Sequence, residues 1–174
     1  MIGETYIDTY GRVHTISKVL SSGGQGIVYR TDEANTLLKL EWNSKTKEII
    51  KDISKNEKFD EIRLLPLQVN TNITLPQVTL RDVAGYTMKL LDGMESFKEA
   101  FSGDNKQLCN NSWLEEMEKQ NQKIGEELKK YISSGGMRKR LNAYLEAACI
   151  LAKIHVSGLV YCDVSDKNMF FFGH

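Results

Sequence analysis

The stretch that decides the fold is Ser21-Ser22-Gly23-Gly24-Gln25-Gly26-Ile27-Val28-Tyr29, followed by Thr36-Leu37-Leu38-Lys39-Leu40. Residues of strand character flank the glycines, so the glycines form the tip of a hairpin. With no Cβ atoms, such a tip lets the backbone approach a phosphate closely and leaves N–H groups to bind it. The plain alternative is a hairpin turn that needs positive φ. No Gly-Lys-Ser/Thr follows, which excludes a P-loop. Ile27-Val28-Tyr29 reads as strand where a Rossmann fingerprint needs the start of a helix. Lys39 is either the polar member of an alternating strand or an ammonium placed against phosphates held by the tip.

Working outward, strand patterns cover Thr5–Tyr10, Val13–Val19, Gly26–Thr31 and Thr36–Trp42, with a turn over Asp32–Asn35. Lys45–Leu65 has amphipathic-helix spacing, with an interruption near Ser54–Asn56, and Pro66 ends it. Strands return at Thr74–Leu80, an edge strand because of Pro76, and at Ala84–Leu91. Asp92-Gly93 is a turn, and Ser102–Asn111 reads as a polar loop. Ser112–Tyr131 is a charged helix with a weak point at Gly125. Met137–Val156 is a strong helix, with Leu141, Tyr144, Leu145, Ala148, Leu151, Ala152 and His155 on one stripe. That stripe is expected to be core, with His155 a satisfied core histidine. Arg138-Lys139-Arg140 reads as a solvated helix start. Short strands at Leu159–Tyr161 and Met169–Phe172 flank a polar loop. Strands, helix, strands and then helices make a sheet-rich lobe followed by a helical one.

The chain has 174 residues, with 23 Lys+Arg against 23 Asp+Glu and 41% hydrophobic residues, enough for a core. Zero net charge argues against nucleic acid or an anionic membrane as main partner. No apolar run nears the ~20 residues of a membrane helix, and no signal peptide is visible. Cys109, Cys149 and Cys162 are odd in number and widely spaced, which points to a reducing, cytoplasmic setting. The three histidines, His14, His155 and His174, lack metal-ligand spacing.

The last informative segment is Tyr161-Cys162-Asp163-Val164-Ser165-Asp166-Lys167-Asn168. Asp163 is suited to accept a hydroxyl proton, and Asn168 offers a hard carbonyl oxygen suited to Mg²⁺. A solvated turn is the plain alternative. D-x-x-x-x-N alone carries little weight. Cys162, beside Asp163, would be reactive if exposed, but reads rather as a buried structural cysteine.

In conjunction these features resemble the protein-kinase superfamily, with its G-x-G-x-x-G-x-V loop, strand lysine and H-R-D-L-x-x-x-N loop. Gly23, Gly26 and Val28 match the second and third glycines and the valine, and Ser21 stands at the first glycine. Lys39 matches the strand lysine. Asp163 and Asn168 match the catalytic loop, and Ile154-His155 with Gly158 matches its lead-in. The matches run in order from Val19 to Phe172. Tyr161 and Cys162 replace the family's His and Arg, Ser165 replaces a lysine that Lys167 would substitute, and no D-F-G follows Asn168.

The resemblance implies an α+β, kinase-like fold. Residues 1–91 would be a small antiparallel N-lobe sheet with one main helix. Residues 92–174 would be a partial, mainly helical C-lobe, with a helical insert near Ser102–Gly136. It implies Mg²⁺-ATP-dependent phosphoryl transfer to a protein Ser/Thr hydroxyl. Ser21, Gly23, Gly24, Gln25, Gly26 and Val28 would cover the nucleotide. Leu37, Met88 as gatekeeper, and the backbone of Lys89 and Leu91 would meet the adenine. Lys39 would pair with phosphates and with a helix glutamate, Glu57, with Glu61 or Glu48 as alternatives. Asp163 would be the base and Asn168 the metal ligand. The implied partners are ATP and a protein substrate or a completing polypeptide. A non-catalytic nucleotide- or partner-binding pseudokinase module and one half of a split kinase are the alternatives.

Overall fold

The computed structural model describes residues 2–67, 72–91, 93–103 and 111–172. Asp92, Cys109, His174 and residues 104–110 of the expected loop lie outside the described residues. The described residues up to 66 together with 72–91 form one compact unit, and those from 93 onward belong to a second.

The first unit is an antiparallel sheet of β1 (Thr5–Ile7), β2 (Val13–Ser22), β3 (Gly26–Thr31), β4 (Thr36–Glu41), β5 (Pro76–Thr79) and β6 (Gly85–Lys89). Their order is β1-β2-β3-β4-β6-β5, so Pro76 lies on an outer strand, where a missing N–H costs no central ladder bond. An Asp8–Leu80 bridge links the two outer strands. Beside it, Thr9 N–H donates to Thr79 C=O at 3.0 Å and Arg81 N–H to Ile7 C=O at 2.9 Å. The sheet therefore curls back on itself. Ile16, Ile27, Tyr29, Leu38, Leu40 and Leu80 form its buried core.

The helix expected over Lys45–Leu65 is only α1 (Ser54–Arg63). Residues 45–53 are not helical. Trp42 bridges to Ile49. Ile50 N–H donates to Glu41 C=O at 3.0 Å, and its C=O accepts from Ala84 N–H at 2.7 Å. Tertiary pairing of these isoleucines overrides the local helical period. On α1, Asn56 and Phe59 face inward.

The second unit holds β7 (Met94–Ser96), α2 (Phe97–Ser102), α3 (Ser112–Gln120), α4 (Gln122–Ser133), α5 (Gly136–Val156) and β8 (Phe170–Phe172). Strands β7 and β8 pair antiparallel, whereas the strand expected at Leu159–Tyr161 does not form. The helix expected over Ser112–Tyr131 divides at Asn121, not at Gly125. Asn121 takes extended backbone and caps α4 by accepting from Ile124 N–H at 3.2 Å. Gly125 serves the crossing instead: a Cβ there would lie 2.4 Å from Glu118 Cα.

The α5 stripe is not core. Leu141, Tyr144 and Leu145 are 59%, 53% and 64% exposed, and Ala148, Ala152 and His155 are exposed too. The aromatic cluster of Phe97, Phe101 and Phe171 packs on the Ala143 and Ala147 side of the helix, and of the stripe Tyr144 meets it, its ring edge-on to Phe97 at 5.5 Å. Nor is Arg140 solvated. It donates to the carbonyls of Tyr131, Gly136 and Phe101 and to Ser134 Oγ, and it stacks on Phe101 and Tyr131. Cys162 is exposed, not buried. No described helix is long and apolar enough to cross a membrane.

Candidate functional site

In the first unit the sheet register gathers the predicted nucleotide residues. Ser21 pairs with Val28, Val28 with Lys39, and Lys39 with Tyr86, while Leu37 pairs with Met88. Cross-strand partners share a face, so Ser21, Val28, Leu37, Lys39, Tyr86 and Met88 line one face of the sheet. Ile27, Tyr29, Leu38 and Leu40 take the other face, which carries the core. Leu37 is buried, Met88 half-buried, and Lys89 and Leu91 exposed at the end of β6 and beyond. Leu90 N–H is spent on Asn35 C=O.

The tip, Gly23-Gly24-Gln25, is closed by Gly23 N–H donating to Gly26 C=O at 2.9 Å. Gly26 must be glycine, because a Cβ would sit 2.4 Å from Leu40 C=O. Gly23 and Gly24 differ. Neither has positive φ, and a Cβ on either would meet nothing within 4 Å. Neither turn geometry nor packing within the described residues explains them. Among the described residues, no acceptor takes the N–H of Gly24 or Gln25. Free amides beside small residues suit an anion.

Lys39 is half-buried, with Nζ 5.6 Å from the centroid of the Tyr86 ring. Phe59 of α1 meets the same ring edge-on at 4.6 Å. Asn56 fastens α1 to the sheet. Its Nδ2 donates to Leu80 C=O at 2.8 Å and Val83 C=O at 3.0 Å, and its Oδ1 accepts from Gly85 N–H at 3.0 Å. Asn56 and Phe59 set the inward face, so Glu57, about 100° further round, is exposed. No ion pair joins Glu57 to Lys39 among the described residues, and Glu61 and Glu48 are exposed as well. The ion pair between α1 and β4 has the opposite polarity: Lys55 Nζ to Glu41 Oε2 at 2.9 Å. Sequence reasoning missed Asn56 and Tyr86. The signal for Asn56 was its i,i+3 spacing to Phe59 on a helix face.

In the second unit the loop brings Asp163 and Asn168 together. Asn168 Nδ2 donates to Asp163 Oδ2 at 2.7 Å and to its backbone C=O at 3.2 Å. The N–H groups of Asn168 and Met169 donate to Ser165 C=O, which curls the loop. The start of α2 braces it: Lys98 N–H donates to Asp166 C=O at 3.0 Å and Phe97 N–H to Met169 C=O at 2.9 Å. That helix start is held by a capping box between Ser96 and Glu99. Both side chains are exposed, and no donor among the described residues reaches Asn168 Oδ1. This free, hard oxygen fits a Mg²⁺ ligand. No group of three His, Cys, Asp or Glu able to hold a metal exists among the described residues.

No family model and no curated protein matches this sequence. A solved structure does match in fold. The PknI kinase domain of M. tuberculosis aligns with a TM-score of 0.56 at 14% identity, over 100% of this chain and 58% of that one. The fold is therefore that of a kinase-like N-lobe and a partial helical C-lobe. The chain spans a little over half the length of the kinase domain it matches.

Proposed function

We propose that this chain carries the nucleotide-gripping and hydroxyl-activating parts of a protein kinase, acting with Mg²⁺-ATP on a protein Ser/Thr hydroxyl. The observation that carries this reading is the register that sets Ser21, Val28, Leu37, Lys39 and Met88 on one sheet face beside a tip with free amides. The Asp163–Asn168 hydrogen bond supports it from the second unit.

In this reading the Gly24 and Gln25 amides and the Lys39 ammonium hold phosphate oxygens. Leu37 and Met88 supply an apolar surface for the base. Asp163 accepts the proton as the acceptor oxygen bonds to the γ-phosphorus and the bond to ADP breaks, ADP leaving with the electron pair. Asn168 Nδ2 fixes the Asp163 carboxylate, so the base is oriented before the acceptor arrives. Bound Mg²⁺ would neutralise phosphate charge, with Asn168 Oδ1 as its protein ligand here. Positioning and charge neutralisation supply most of the rate enhancement in such transfers. Calorimetric titration with Mg²⁺-ATP, beside Lys39→Ala, tests the grip: saturable binding weakened by the substitution is expected, and no binding by either protein overturns the reading.

One observation favours a second reading, a chain completed by another polypeptide. The α5 face of Leu141 and Leu145 is apolar and exposed. Transfer from ATP by this chain alone would exclude it.

A further inference from the structure

Trp42 lies one residue beyond β4 and is absent from the motifs that carry the nucleotide reading. Its ring packs against the core of the sheet, on the face opposite Lys39. Its indole Nε1–H donates to Gly23 C=O at 2.8 Å. The bond spans 19 residues and joins the body of the sheet to the glycine-rich tip. Lys47 covers the ring, with Nζ 4.1 Å from its centroid. Lys47 is also the one non-glycine residue with positive φ among the described residues, at 61°. Its N–H donates to Asn43 C=O at 2.8 Å, and Asn43 Oδ1 accepts from the N–H of Lys45 at 2.9 Å. A left-handed lysine is sparsely populated backbone, so the turn after Trp42 is over-determined by its own bonds.

We propose that Trp42 is a positioning residue: with Lys47 over its ring, it latches the glycine-rich tip from the core side and sets the affinity for nucleotide. The latch uses the Gly23 carbonyl and turns it toward the core face. The Gly24 and Gln25 amides then stay unspent for phosphate. Gly23 N–H is already engaged with Gly26, so the tip has both groups of Gly23 anchored and its next two amides free. This inference rests on the nucleotide reading for its consequence, but not for the latch itself.

Trp42→Phe keeps an aromatic ring under Lys47 and removes the donor. We expect exchange of the Gly23 amide, which is bonded to Gly26 C=O, to quicken by about two- to tenfold in the nucleotide-free protein, the range one hydrogen bond commands. Mg²⁺-ADP should bind more weakly by a similar factor. Unchanged exchange overturns the latch. If the unsubstituted protein binds no nucleotide, the nucleotide reading fails while the exchange comparison still decides the latch. Should Trp42→Phe not fold, Trp113→Phe leaves Trp42 as the sole indole, the chain having two tryptophans. Its indole proton should then exchange slowly and its emission should shift on adding Mg²⁺-ADP, a change that a purely packing role would not produce. Free exchange of that proton overturns the proposal.

Discussion

Two residue-scale arrangements make separate predictions. Asn168 keeps Asp163 in place through a bond of 2.7 Å between exposed groups. Asn168→Ala should leave stability within about 0.5 kcal/mol, because the bond is solvent-accessible. Any phosphoryl transfer should fall by tenfold or more, since the carboxylate loses its orientation; parallel melting and kinase assays check both. The second arrangement is buried. Asp8, 1% exposed, accepts from the N–H groups of Tyr10 and Arg12, each at 2.9 Å, and lies 3.1 Å from His14 Nε2. Burial alone would raise its pKa, but the Arg12 amide, the His14 ring and the Tyr10 amide outweigh burial and hold it below the ordinary value. A depressed folded-state pKa contributes stability above the unfolded value, near 4, that is lost as pH falls through the folded one. Asp8→Asn should therefore cost roughly 1–3 kcal/mol at pH 7, with the gap to the unsubstituted protein narrowing below about pH 4. A pH series of urea denaturations reads this, and a gap independent of pH would contradict it. The sequence showed Asp163 and Asn168 as a spaced pair, yet it held no sign that Asp8 and His14 meet. That pairing exists because β1 turns back antiparallel onto β2, which sets Asp8, just past β1, beside His14 of β2.

At the scale of elements, one side chain joins α1 to the sheet. Asn56 satisfies two carbonyls and the buried Gly85 N–H. Asn56→Ala leaves that N–H unpaired away from water and should cost about 1–3 kcal/mol. Amide exchange at Gly85 should rise with the loss, and an unchanged Gly85 would show that α1 is held otherwise. The α3–α4 crossing makes a comparable demand on Gly125, where a Cβ would collide with Glu118 backbone. Gly125→Ala should destabilise the second unit by about 1–3 kcal/mol through overpacking, despite alanine's better helix propensity. Thermal unfolding distinguishes the two effects by sign. The existence of most strands and of α5 was legible in the periodicity. The first half of the expected Lys45–Leu65 helix was not, because Ile49 and Ile50 find sheet partners that only the folded chain supplies. Glu57 was misread for the same reason: which side of α1 faces the sheet is set by Asn56 and Phe59, which have buried partners, and not by charge.

At the scale of the whole molecule, the exposed stripe of α5 sets an expectation. Leu141→Ser with Leu145→Ser should leave the chain's stability within about 0.5 kcal/mol, because both side chains stand in water. A loss above about 2 kcal/mol in urea denaturation would show instead that this face is packed. The periodicity of α5 was read correctly as a helix and wrongly as buried, since an apolar stripe states a preference for cover and not its presence. The strands of the first unit, the glycine-rich hairpin, the lysine on the next strand and the Asp163–Asn168 spacing were determined by the sequence alone. Each rests on local chemistry: period, turn residues and fixed offsets along the chain. Only the tertiary structure decided which residues share the Lys39 face, that Trp42 reaches Gly23, that Asn56 and not Glu57 turns inward, and that Arg140 is enclosed by carbonyls and rings. These depend on strand register and helix rotation, which many weak, distant contacts settle together and no short stretch of sequence encodes.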